Sequence, residues 1–405
     1  MIYLDYAAAT PVDEKVFAAM RPYFSEDFYN PSAAYLPAKK VREDLENARH
    51  LIAINLGARP AEIVFTAGAT ESINLAFNFP RGSKRCKIVT SAIEHPAVLA
   101  AATRETLFTQ VALARVDKNG LVDLDDLRTK IDKDTRIVSI GYANNEIGTV
   151  QPLREIAEIV AAERAHRANA GENTPIFFHT DASQAAGYLD LNVARLGVDL
   201  MSLNAGKCYG PKQVGCLYVR AGVRLNPLIV GGGQESGLRS GTENVAGAIG
   251  FSTALQIAEK KRKSEVKRLC QLRDNLEKYL TTTFARNDPA KNIEAFAGSF
   301  PAMKVNGHPK HRLPNVLNFS IPGLDGERAI FALDAHDVAV ATGSACAANK
   351  ETRSHVLAAI GLDEDLIDGS LRISLGRPTT EEEIEKVKPI LVKVIREQLK
   401  FGSKQ

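Results

Sequence analysis

Lys207 stands in the stretch Leu203-Asn204-Ala205-Gly206-Lys207-Cys208-Tyr209-Gly210-Pro211-Lys212, directly after the apolar run Val198-Asp199-Leu200-Met201-Ser202. An amine is thereby set at the mouth of a predicted strand. A lysine in a glycine-rich turn is ordinarily solvated and inert. A phosphate loop of the form G-x-x-x-x-G-K-[ST] is excluded, because Met201 takes the place of the first glycine and Cys208 that of the hydroxyl residue. The amine gains chemical meaning only from its company. Other predicted strands also end in polar clusters: Thr66-Ala67-Gly68-Ala69-Thr70-Glu71-Ser72, Ser91-Ala92-Ile93-Glu94-His95-Pro96, Tyr142-Ala143-Asn144-Asn145-Glu146-Ile147-Gly148 and Thr180-Asp181-Ala182-Ser183-Gln184. Open parallel sheets bind ligands at the carboxyl ends of their strands, so these clusters are expected to converge.

Each cluster has an ordinary reading and a chemical one. The small residues around Ala69 and Thr70 open a helix whose free N–H groups and dipole suit a phosphate, although a simple cap would explain Thr70 as well. His95 places an imidazole on the same rim, where a structural hydrogen bond is the plain alternative. Asp181 ends a buried apolar strand, and a carboxylate there costs several kcal/mol unless something cationic meets it. A protonated heterocyclic nitrogen is such a partner. With a lysine able to form a Schiff base on the following strand end, the pattern is what a pyridoxal phosphate enzyme requires.

The elements that must position these residues are legible as alternating strands and helices from about residue 15 to 260, the signature of a largely parallel sheet covered on both faces. The clearest strands are 63–66, 87–90, 135–140, 176–179, 199–202 and 216–219, and 153–169 is a helix with Ile156, Ile159 and Val160 on one side. A long helix is expected from about Ala246 to Ala285, with the charged run Glu259-Lys260-Lys261-Arg262-Lys263 as a solvated face. Residues 286–315 read as an irregular connection. A strand at Asn315–Ser320, a helix near Asp325–Ala335 and a closing helix from Thr380 then give a smaller α+β unit. The expected division is 15–260 for a large domain and 1–14 with 261–405 for a small one.

At 405 residues, 45% hydrophobic and 24% charged, the chain has the make-up of a globular enzyme of more than one domain. Its formal net charge of +3 argues for neither a nucleic-acid nor a membrane partner. The five cysteines form no C-x-x-C pair, so neither a disulfide framework nor a zinc site is indicated and a reducing cytoplasm is expected. No targeting segment and no apolar run long enough to span a bilayer is present in the sequence, which points to a cytoplasmic location.

Taken together, Tyr3-Leu4-Asp5, Asn30-Pro31-Ser32, Gly68-Ala69-Thr70-Glu71-Ser72, Glu94-His95, Asn144 to Gly148, Asp181-Ala182-Ser183-Gln184, Lys207, Tyr209-Gly210-Pro211-Lys212, Arg239-Ser240-Gly241-Thr242-Glu243-Asn244, Gly343-Ser344-Ala345-Cys346 and Arg372-Ile373-Ser374-Leu375-Gly376 resemble the cysteine desulfurases of the class V, fold-type I pyridoxal phosphate enzymes. The resemblance implies a large domain with a mostly parallel seven-stranded sheet plus a small α+β domain. It implies that Lys207 holds the cofactor, Asp181 meets its ring nitrogen, His95 stacks on the ring and handles protons, Asn145 and Gln184 lie near the ring oxygen, and Ala69, Thr70 and Asn204 serve the phosphate. Thr242 would reach the phosphate of a neighbouring subunit, which implies a homodimer. Arg372 would hold the carboxylate of L-cysteine, for which a planar, permanently charged fork is suited; Asn145 would also face the substrate.

The resemblance further implies that Cys346, on a segment of small residues, takes sulfur from cysteine as a persulfide, releases alanine and passes sulfur to an acceptor protein such as an iron-sulfur scaffold or a thiolation or sulfur-modification protein. The other four cysteines are expected to be buried apolar residues. Several positions depart from the family pattern. Asn204 and Gly206 replace the usual serine and histidine beside the lysine, which lowers the expected cofactor affinity and leaves the covalent attachment. Tyr35, Pro37 and Ser236 differ as well, and 163–174 and 287–309 are longer than usual. A selenocysteine lyase, an aminotransferase or an inactive docking subunit are the competing readings.

Overall fold

The computed structural model describes residues 1–80, 86–104, 109–285, 302–342 and 353–402. Its strands in chain order are β1 (Ile2–Tyr3), β2 (Ile63–Thr66), β3 (Cys86–Ser91), β4 (Thr109–Ala114), β5 (Thr135–Ser139), β6 (Phe177–Asp181), β7 (Leu200–Asn204), β8 (Gly215–Val219), β9 (Lys304–Asn306), β10 (Val316–Ser320), β11 (Val338–Ala339) and β12 (Ser370–Ser374). Seven of them form one sheet in the order β2-β8-β7-β6-β5-β3-β4. The five from β7 to β4 run parallel, and β8 is antiparallel to both of its neighbours. The strands β2, β5 and β8 are buried along their whole length. Their near-continuous apolar or β-branched make-up is the expected composition for strands covered on both faces.

Chain order reverses direction across the sheet between β3 and β5, so the carboxyl ends of these two strands open a crevice. The loops that follow them carry His95 and Asn145. On the adjoining parallel strands, β6 ends at Asp181, paired with Ser202 of β7. The sheet itself therefore assembles the polar rim.

A second, antiparallel sheet has the order β12-β10-β9, with Arg372 opposite Asn318, and β1 pairs with β11 beside it. Its apolar face, with Leu317, Phe319, Leu371 and Ile373, packs in a core that includes Leu391 and Ile395 of the closing helix Glu381–Gly402. The helix Val245–Thr283 links the two units. Ala248, Phe251, Ala254 and Leu255 belong to the core of the large sheet, and Leu269, Leu272, Leu276 and Leu280 to that of the small one. The apolar contacts change partner between Ala258 and Leu269, where the charged run is exposed except for the half-buried Arg262.

The expected seven strands are present. The seventh, β4, was not among the six named from the sequence: it is an edge strand of mixed polarity, Thr-Gln-Val-Ala-Leu-Ala, whose residues are mostly half-exposed. The connection expected at 286–315 contains the strand β9, held by its pairing with β10 rather than by its own polar sequence. The strand expected to stop at His179 continues to Asp181. Among the described residues no helix is long and apolar enough to cross a membrane.

Candidate active site

A cavity of about 610 Å³ opens at the crevice and is lined by Lys207, Asp181, His95, Asn145, Gln184, Asn204, Ala69, Thr70 and Arg372, together with residues sequence reading had not singled out. Lys207 sits in a short turn, Ala205–Lys207, at the end of β7. The turn is closed by the Gly206 N–H donating to Asn204 Oδ1 at 3.0 Å. The Lys207 amine donates to the carbonyl oxygens of Ala7 at 2.8 Å and Ala8 at 2.6 Å. Gln184 Nε2 donates to the same Ala7 oxygen at 3.0 Å. Residues 200 positions away in sequence thus fix the amine.

Asp181 Oδ1 accepts the Ser183 N–H at 2.9 Å and the Ser183 hydroxyl at 2.6 Å, which aligns the carboxylate by an Asx turn. Beneath it His179 is fully buried between the hydroxyls of Ser139 at 2.8 Å and Ser202 at 3.0 Å. Burial drives its pKa down to about 4, so it is neutral and serves as a hydrogen-bonded support for the strand end. His95 caps the helix Pro96–Thr103: its Nδ1 accepts the Ala97 N–H at 3.1 Å. That bond puts the lone pair on Nδ1 and, in the neutral ring, the proton on Nε2. Burial lowers the pKa of His95; the Lys207 charge acts in the same direction and Asp181 against it. His95 thus makes a structural hydrogen bond and also lines the cavity.

Arg372, on β12, is 2% exposed. Nη2 meets Asp5 Oδ1 at 2.7 Å and Nη1 donates to the Asn145 carbonyl oxygen at 3.0 Å. Its Nε is buried with no hydrogen-bond partner among the described residues. A guanidinium held by two edges with a remaining buried donor is prepared for a carboxylate. Glu94 and Glu146, also in the wall, are both raised to about 7, in each case chiefly by burial. Glu94 accepts from Ser91 Oγ at 2.5 Å and from the Gly141 N–H at 3.0 Å, while Glu146 accepts from Ser354 Oγ at 2.5 Å.

Two expected residues stand apart. Thr242 is exposed and does not line the cavity, and Cys346 lies outside the described residues. Arg353, Ser354 and His355, among the next described residues in sequence after it, line the cavity. Of the remaining cysteines, Cys86, Cys208 and Cys216 are buried as expected; burial pushes the Cys208 thiol up to about 12 and that of Cys216 up as well. Cys270 departs from the expectation, being only half-buried on the long linking helix. Sequence reading missed the roles of Asp5, Ser183, His179, Ser354 and the Ala7 and Ala8 carbonyls. Asp5 carried a signal, as a carboxylate beside an apolar residue, and so did Ser183, two residues after Asp181 as an Asx turn requires; backbone acceptors carry none.

Residues 2–387 match the Aminotransferase class-V family. The cysteine desulfurase IscS of Dictyoglomus turgidum is 41% identical over 398 residues, 97% of this chain and 94% of that one. Cysteine desulfurase IscS 1 of Archaeoglobus fulgidus is 39% identical, over 98% of this chain and 97% of that protein. Among solved structures, a NifS-like protein superposes with a TM-score of 0.85 at 33% identity, over 98% of this chain and 99% of that one. SspA in complex with cysteine does so with a TM-score of 0.74 at 33% identity, over 93% and 99%. Fold, site and relatives agree, and the chain belongs to the class V aminotransferase family, on its cysteine desulfurase branch.

Proposed function

We propose that this chain is a pyridoxal phosphate-dependent cysteine desulfurase that takes sulfur from L-cysteine onto Cys346 and leaves L-alanine. The observation that carries the reading is the convergence of an amine, a carboxylate, an imidazole and a buried guanidinium on one cavity. The residues present fit the cofactor. Lys207 offers the amine, and Asp181 has one oxygen held by Ser183 and the other left for a ring N–H. His95 faces the cavity, Asn145 and Gln184 flank it, and Ala69, Thr70 and Asn204 lie at the opening of the helix Ala69–Ala76, where a phosphate is favoured. When bound, pyridoxal phosphate supplies an aldehyde for attachment to an amine and an electron sink for charge at the substrate α-carbon.

The remaining work falls to side chains. Arg372 fixes the substrate carboxylate and so orients the α-proton. The Lys207 amine, already aimed by two carbonyl oxygens, accepts that proton. His95, kept neutral by burial, moves a proton from Nε2. The Cys346 thiolate then attacks the substrate sulfur: a sulfur–sulfur bond forms, the Cβ–S bond breaks, and its electron pair passes to carbon, which is protonated to give alanine. Thr242 serves the cofactor phosphate of a neighbouring subunit in a homodimer. The persulfide is handed in the cytoplasm to a sulfur acceptor protein of iron-sulfur assembly or a related sulfur pathway. In this scheme the large domain spans 15–260 and the small domain 1–14 with 261–405.

The purified protein is expected to be yellow, to lose the colour on Lys207→Ala, and to make alanine and sulfide from cysteine. Cys346→Ser is expected to abolish both products while keeping the colour. A colourless parent overturns the cofactor reading; a Cys346→Ser variant as fast as the parent overturns sulfur transfer through that thiol and leaves another class V chemistry.

A further inference from the structure

A second cavity of about 330 Å³ adjoins the first, and the two share Ala8, Ala69, Thr70, Asn204 and Lys207 in their walls. Its lining contains two lysines and no carboxylate. It lies at the start of the helix Ala69–Ala76, where Gly68 adopts φ 133° and nothing stands within 4 Å of the point a Cβ would occupy. The space is therefore electropositive and open at an end of backbone N–H groups.

Its second lysine is Lys212, which is exposed and makes no hydrogen bond or ion pair among the described residues. The chain is turned sharply on either side of it, with Tyr209 at φ 67° and Gln213 at φ 59°, a left-handed conformation that costs energy in residues other than glycine. The turn at Tyr209 is held by its N–H donating to Thr10 Oγ1 at 2.9 Å. The result is that Lys212 returns over Gly206. A Cβ built on Gly206 would stand 3.6 Å from Lys212 Cγ and 3.4 Å from Asn204 Oδ1. Glycine at 206 leaves the lysine stem room to lie across the turn, and the Asn204 oxygen is already committed to the Gly206 N–H, so its Nδ2 hydrogens are the ones left to donate.

We propose that Lys212 anchors the phosphate of the cofactor in this chain, with Asn204 Nδ2 and the opening of the helix Ala69–Ala76. A phosphate monoester carries roughly −1.5 to −2 charges at neutral pH, and a helix terminus offers the equivalent of about +0.5. Lys207 is engaged by the Ala7 and Ala8 carbonyls and by the cofactor's aldehyde chemistry. A compact ammonium on a flexible stem supplies the missing charge. The inference rests on the reading of the main cavity as a pyridoxal phosphate site.

The test compares equilibrium affinities of the apo protein for pyridoxal phosphate and for pyridoxal, which lacks the phosphate, by the absorbance of the lysine-bound chromophore. Lys212→Met is expected to weaken pyridoxal phosphate by about tenfold to a hundredfold, the size of one charge-assisted contact. Its affinity for pyridoxal should stay within about twofold of the parent's, and Lys212→Arg should retain most of the phosphate preference. Parent affinity for pyridoxal phosphate should also fall more steeply with salt than that of Lys212→Met. Equal weakening of both compounds, or of neither, overturns the role of Lys212 while leaving the cofactor reading intact. A parent protein that binds neither compound overturns both.

Discussion

Replacing Arg372 by lysine keeps the charge and removes the fork, and its consequence can be worked from the hydrogen bonds at hand. The guanidinium has five N–H donors. Two are spent on Asp5 Oδ1 and the Asn145 carbonyl oxygen, and among those left is the buried Nε, which has no partner among the described residues. A substrate carboxylate can therefore bond Nε and a neighbouring Nη together. An ammonium has three donors; once Asp5 and the Asn145 oxygen take two, one remains for substrate. At least one hydrogen bond to a charged group is lost, worth about 1.5–3 kcal/mol, or roughly tenfold to a hundredfold in kcat/KM. The assay is formation of alanine from L-cysteine and of alanine methyl ester from its methyl ester, a substrate that keeps the thiol, the amine and the α-proton but not the negative charge. The ratio of the two kcat/KM values should shift against cysteine by that factor, with the ester nearly unaffected. An equal fall for both substrates would show that Arg372 acts through the architecture of β12 and not on the carboxylate.

Two further outcomes concern stability. Glu94, raised from its ordinary 4.5 to about 7 by burial, binds its proton more tightly when folded, so its contribution is full below pH 4.5 and lost as pH rises to about 7. Glu94→Gln should flatten that decline, gaining about 2 kcal/mol on the parent between pH 5 and pH 8 in urea unfolding, and parallel profiles would contradict it. Glu235, whose two oxygens accept from Arg49 at 2.6 and 2.8 Å and from the Phe65 N–H at 2.8 Å, has a side chain only 4% exposed. Glu235→Ala leaves the Arg49 guanidinium short of its buried partner and should cost about 3–5 kcal/mol in denaturant unfolding; a loss below about 1 kcal/mol would mean that Glu46 and water replace it.

What the sequence disclosed was local. Apolar runs and their polar ends revealed six strands, the long helix within two residues at its carboxyl end, and most of the cavity wall, because a parallel sheet collects its strand ends on one rim. What it hid was made by pairing. β4, of mixed polarity, and the short, polar β9 are edge strands whose hydrogen bonds come from neighbours, so no period-two pattern marks them. The capping of a helix by His95 Nδ1 and the Asx turn of Ser183 at Asp181 are within reach of sequence rules. The bond from Ser354 to Glu146 joins residues 208 apart and is not.

The deepest of these hidden arrangements concerns residues 3–10. In the function proposed above, an amino acid bound in the cavity presents its nitrogen to the group at Lys207, on the large sheet, and its carboxylate to Arg372, on the small one. The separation of those two side chains is then a substrate constraint, and among the described residues no strand pairing joins the two sheets. The N-terminal segment does. Asp5 ion-pairs with Arg372, the Ala7 N–H donates to Ser374 Oγ at 2.9 Å, the carbonyls of Ala7 and Ala8 hold the Lys207 amine, and Thr10 Oγ1 donates to the Gly206 oxygen at 3.1 Å. One stretch, turning at residues 6–8, thus touches Arg372, its strand and the lysine turn in succession. Side chains of little bulk at Ala7, Ala8 and Ala9 let its backbone come close enough to do so, since the acceptors it offers to the amine are main-chain oxygens. The large sheet brings Lys207, Asp181 and His95 to one rim, this segment ties that rim to Arg372, and in the proposed function the tie sets the span an α-amino acid must bridge.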